Sequence, residues 1–134
     1  MDEYVTGWPS GYGFMEAANL LKNRAAEITA QGQPILVLTH QFHGLPYDGL
    51  EVYLGHMKDV FHYGDMHLFK DADGFLAAWV PHQVPALVLG EEGPDKLDDL
   101  ERAVPQLKRI GFFPKPGGRY AFRVYEIDLR AIEQ

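Results

Sequence analysis

QPILVLTH (Gln33–His40) decides the architecture. Five apolar or β-branched residues, Ile35 to Thr39, run together between a proline and a histidine. So short a run, closed at both ends, reads as a strand buried on both faces, as in a parallel sheet covered by helices. PALVLGEE (Pro85–Glu92) repeats the grammar: proline, apolar run, then polar residues at the carboxyl end.

The segments around these strands supply the helices. Phe14, Ala17, Ala18, Leu21, Ala25 and Ile28 recur at three- and four-residue spacing, with Asn19, Lys22, Asn23, Arg24 and Glu27 mostly opposite. That is an amphipathic helix. QGQP (Gln31–Pro34) ends it through a C-terminal glycine. GWPSGYG (Gly7–Gly13) stands before it as a folded entry turn. HQFHGLPYDG (His40–Gly49) reads as a loop, LEVYLG as a short helix stopped by Gly55, and KDVFHYG (Lys58–Gly64) as a second strand. Asp71 or Asp73 is placed to cap a short helix through GFLAAWV. GPDKLDDLERAV is a further helix with Pro94 near its first turn.

The tail changes character. QLKRIGFF and RYAFRVYEIDL are strands joined by a proline-glycine turn, PKPGG. In the last strand Tyr120, Phe122 and Val124 alternate with Arg123, Glu126 and Asp128, which predicts one wet face and an antiparallel pairing at an edge. The expected fold is a single α/β domain over residues 1–134, a three-layer sandwich around a mixed sheet of about five strands. Residues 1–13 form the entry segment, 14–104 alternate helix and strand, and 105–134 form a C-terminal antiparallel hairpin.

Composition narrows the function. The 134 residues carry 12 basic and 19 acidic side chains, a formal charge of −7, with the basic ones dispersed. Nucleic-acid binding needs a basic stripe and is excluded as an expectation. There is no cysteine, so disulfides, thiol catalysis and cysteine-ligated metals are ruled out. The longest apolar stretch, GFLAAWVPHQVPALVLG, is interrupted by two prolines, a histidine and a glutamine. It does not span a bilayer, and the chain is expected to be soluble as given.

Residues that could carry chemistry are few. GYGFMEA approaches G-x-G-x-x-G, but Glu16 takes the last glycine's place and no central strand precedes it, so an entry turn is the better reading. Six histidines (His40, His43, His56, His62, His67 and His82) invite a metal, yet they show no recurring spacing, and no metal or other cofactor is expected. His40 and His43 follow the first strand and Glu91 the third, at the carboxyl ends where open α/β sheets bind ligands. A weaker alternative is a small hydrolase using His40, Asp65 and Glu91. DADG (Asp71–Gly74) lacks the later ligands of a calcium loop, and Ser10 is not in a nucleophile elbow.

Three segments in order carry a family resemblance: YVTGWPSGYGFMEAANLLKNRA, QPILVLTHQFHGLPYDGLEVYLG and IGFFPKPGGRYAFRVYEIDL. Together they resemble the soluble C-terminal, extracytoplasmic domain of bacterial polytopic glycosyltransferases of the dolichyl-phosphate-mannose-protein mannosyltransferase and aminoarabinose-transferase-like type. The resemblance covers nearly the whole chain, and its motifs are structural turns, specific for family rather than chemistry. It implies a location on the extracytoplasmic face of a bacterial membrane, with Met1 an expression start. The implied partners are the membrane-embedded part of the same enzyme and a lipid-linked sugar or acceptor. That family keeps its catalytic acid in a loop with no counterpart here, so no catalytic residue carries over. The expected role is accessory and non-catalytic, with Trp8, Tyr12, His40, His43 and Glu91 as contact candidates and Trp8 near the interface. The alternative is a free-standing α/β domain that binds a small anionic ligand or acts as an interaction module.

Overall fold

The computed structural model describes residues 11–39, 54–64, 72–91, 97–114 and 121–132. Helix α1 (Gly11–Thr29) leads to strand β1 (Ile35–Thr39), then β2 (Val60–Gly64) and α2 (Ala72–Trp79). A 3-10 turn (Val80–His82) continues α2 into β3 (Pro85–Glu91). Helix α3 (Leu97–Ala103), β4 (Lys108–Pro114), β5 (Ala121–Asp128) and a last 3-10 turn (Leu129–Ala131) complete the described chain. The five strands form one mixed sheet in the order β2-β1-β3-β5-β4. β1 runs parallel to β2 and β3, while β5 is antiparallel to both β3 and β4.

Alternation along the strands divides the core in two. Ile35, Val37, Leu87, Leu89, Phe122 and Val124 face α1 and close over Ala17, Ala18, Leu21, Ala25 and Ile28. Three alanines in that stripe let the helix axis approach the sheet closely, and Leu54 fills the same layer. Leu36, Leu38, Ala86, Val88, Tyr125 and Ile127 face the other way. They pack under Phe75 and Val80 of the α2 segment and under Leu97, Leu100, Val104 and Leu107 of the α3 segment. The architecture is therefore the expected three-layer α/β sandwich with a five-stranded mixed sheet.

Local signals explain the boundaries. Gly32 adopts φ +83, the left-handed conformation that ends a helix, and its N–H donates to Thr29 O at 2.9 Å. The chain then turns into β1, whose first N–H, at Ile35, donates to Asp59 O at 2.9 Å. α1 starts at Gly11, three residues before the expected Phe14, so Gly11, Tyr12 and Gly13 belong to its first turn. Of the expected entry turn, residues 7–10 lie outside the described residues, as do most of the LEVYLG helix and the PKPGG turn. Asp73 does not cap α2: the helix already begins at Ala72, so Asp73 lies inside its first turn, where its charge favours the helix N-terminus; Asp71 lies outside the described residues.

One expectation is corrected. The last strand is not a half-wet edge: β5 lies between β3 and β4, and Ala121 to Tyr125 are all buried. The edge position on that side falls to β4, whose Lys108 and Arg109 are exposed. The charges in β5 that suggested water are matched instead. Arg123 meets Asp98 and Glu101 of α3, and Glu126 meets Arg24 of α1.

Candidate functional site at the carboxyl edge

Parallel pairing aligns the ends of β1, β2 and β3, so Thr39, Gly64 and Glu91 finish on one side of the sheet. The start of β5 lies there too, because Glu91 is in register with Phe122. α1 begins on the same side and runs away from it. Its Arg24 meets Glu126, which pairs with Leu87, whereas Leu20 lies one turn earlier against Gly111, level with Val124 and Leu89. From Leu20 to Gly11 the helix advances about 13 Å, against about 7 Å from Leu89 to the end of β3. The first turn of α1 thus projects beyond the strand ends.

Beyond β1 and β3 the described chain resumes in opposite layers. Leu54, after β1, lies in the α1-side layer, and α3, after β3, lies in the other layer. Such a divergence between neighbouring parallel strands marks the crevice where α/β sheets bind ligands. Thr39 ends β1 at this position, buried to 1% exposure, with Leu89 opposite and Gly90 and Glu91 next along β3. Its Oγ1 lies 3.5 Å from Nε2 of His62 on β2. The alternation places Thr39, His62 and Glu91 all on the α1-facing side, and none of the three stands without a partner.

This row does not form a catalytic set. His62 is level with Val37 and Leu87, two strands and four residues away from Glu91. With strands about 4.8 Å apart and about 3.3 Å per residue, their Cα atoms lie about 16 Å apart, too far for a carboxylate to orient the imidazole. Among the described residues no group of three or more histidine, cysteine, aspartate or glutamate side chains could hold a metal ion.

A second polar cluster lies on the opposite face, where α3 covers β5. Arg123 Nη1 donates to Asp98 Oδ1 at 2.9 Å and to Glu101 Oε2 at 3.0 Å. The Tyr125 hydroxyl donates to the same Glu101 oxygen, and Arg109 grips Glu101 through Nε and Nη2. The Arg123 side chain is only 10% exposed, and a guanidinium so placed requires paired carboxylates. Hydrogen bonding to Arg123 holds the Asp98 carboxyl below its ordinary range. At Glu101 burial works upward, but donation from Tyr125 and Arg109 and the two arginine charges outweigh it and hold the carboxyl low. Burial first, then donation to Glu101, pushes the Tyr125 phenol up to about 12. Sequence reading missed this cluster. The signal was present as Asp98 and Glu101 at i, i+3 on one helix, with an isolated arginine, Arg123, inside the apolar run of the last strand.

Of the contact candidates, Glu91 is the last residue of β3, at the crevice. Tyr12 is in the first turn of α1, beyond the strand ends, and its side chain is outside the described residues. Trp8, His40 and His43 lie outside the described residues, as does Asp65. Thr39 was not singled out from sequence, because a threonine closing an apolar run looks like strand.

No family model, curated protein or solved structure matches the chain. Among the described residues, no helix is long and apolar enough to cross a membrane.

Proposed function

We propose that this chain is a non-catalytic accessory domain of a membrane glycosyltransferase that uses a polyprenyl-phosphate-linked sugar, and that it works through the carboxyl edge of its sheet. One observation carries the reading: the first turn of α1 and the ends of β1, β2 and β3 lie on the same side. A chain arriving at Gly11 from a membrane helix arrives at the edge where α/β sheets present their ligand-contacting loops. That edge is then the one turned towards the membrane-embedded part, its lipid-linked sugar or the acceptor. The family and the extracytoplasmic location come from the resemblance of the GWPSGYG entry and the FPKPGG turn.

The described chemistry suits contact rather than turnover. Thr39 ends β1 buried, with its hydroxyl 3.5 Å from His62 Nε2, while Glu91 ends β3 about 16 Å from that histidine, so these polar groups are not joined in one set. A small anionic ligand suits this edge less well, because Arg123 is already held by two carboxylates and Glu91 adds negative charge.

Two measurements test the proposal. The isolated chain, incubated with polyprenyl-phosphate-linked sugars and acceptor, is expected to show no transfer, and clear turnover would end the non-catalytic reading. In the source genome, the frame upstream of the Met1 codon is expected to run through several apolar spans of about 20 residues each. A stop codon and ribosome-binding site immediately upstream would end the glycosyltransferase reading.

A further inference from the structure

We draw no further inference here: the strongest candidate, the uncharged face of edge strand β2 where Phe61 and Tyr63 stand half exposed beside Trp79, carries nothing because nothing in the structure shows what covers it.

Discussion

Arg24 and Glu126, 102 residues apart in the chain, meet in a two-pronged ion pair. Nε donates to Oε1 at 2.7 Å and Nη2 to Oε2 at 2.9 Å, which ties the flank of α1 to the sheet it covers. Both side chains are partly solvated, at 35% and 24% exposure, so the pair is worth about 0.5–1 kcal/mol rather than a buried bridge's value. Arg24→Lys keeps the charge and loses the fork. It should lower stability in urea by about that amount, as should Glu126→Gln. In a double-mutant cycle the two losses should overlap, and strictly additive losses would show that the pair is not coupled.

Tyr125 gives a signature at alkaline pH. Its phenol titrates at about 12 in the fold, against about 10 in the unfolded chain. A raised value contributes stability that is complete below the unfolded pKa and is lost as pH rises through the folded one. Stability should therefore fall between about pH 10 and 12 by more in the native protein than in Tyr125→Phe. Tyrosinate absorbance, compared between the two proteins, should show one phenol that resists ionisation at pH 11. Ordinary titration of all seven tyrosines would refute the buried hydrogen bond to Glu101.

Two glycines should respond to alanine for different reasons. At Gly32 nothing lies within 4 Å of an added Cβ, but φ is +83. Gly32→Ala should therefore cost about 1 kcal/mol in backbone strain alone, whatever its neighbours. A Cβ at Gly90 would run into Leu97 Cδ2 and stand 3.0 Å from Cδ1. Overpacking of this kind costs about 1–3 kcal/mol. Chemical denaturation of Gly90→Ala, Leu97→Ala and the double variant separates the cases. The double variant should be more stable than the sum of the single losses requires, and simple additivity would mean that Leu97 does not pack on Gly90.

Glu101 is the shared acceptor of Arg109, Arg123 and Tyr125, so removing it takes one of two described carboxylates from a nearly buried guanidinium that keeps Asp98. Glu101→Ala should cost about 2–3 kcal/mol, less than a fully buried pair because Glu101 keeps some contact with water. Asp98 and Glu101 have lowered pKa values in the fold. The stability they contribute is present above the unfolded carboxylate range and is lost as pH falls through their lowered values. Glu101→Gln should therefore flatten the loss of stability below about pH 4, and an acid limb unchanged from the native protein would contradict the assignment.

Most of the fold was legible because its signals are local. Ile35–Thr39 and Pro85–Glu91 are apolar runs that only a doubly covered strand accommodates, and the Ala17, Leu21, Ala25, Ile28 stripe admits one helical face. The rank of β5 in the sheet was not legible. Arg123 and Glu126 look solvated in a linear reading, and only the helices that return over them, with Asp98, Glu101 and Arg24, make an interior position affordable. The site was half legible. The rule that ligands gather at strand ends singled out Glu91, whereas the proximity of Thr39 and His62 depends on the register of β1 with β2. The spacing of 23 residues between them carries no sign of that register.

The interior rank of β5 also bears on the order of events at the ribosome. β3 is complete at Glu91, but its antiparallel neighbour is not finished until Asp128, 37 residues later. At about 5–20 residues per second that interval is roughly 2–7 s. During it β4 has been made without the strand it pairs with, since its neighbour among the described strands is β5. The nascent chain must keep apolar β3 and half-apolar β4 from other partners until β5 is made and takes its place between them.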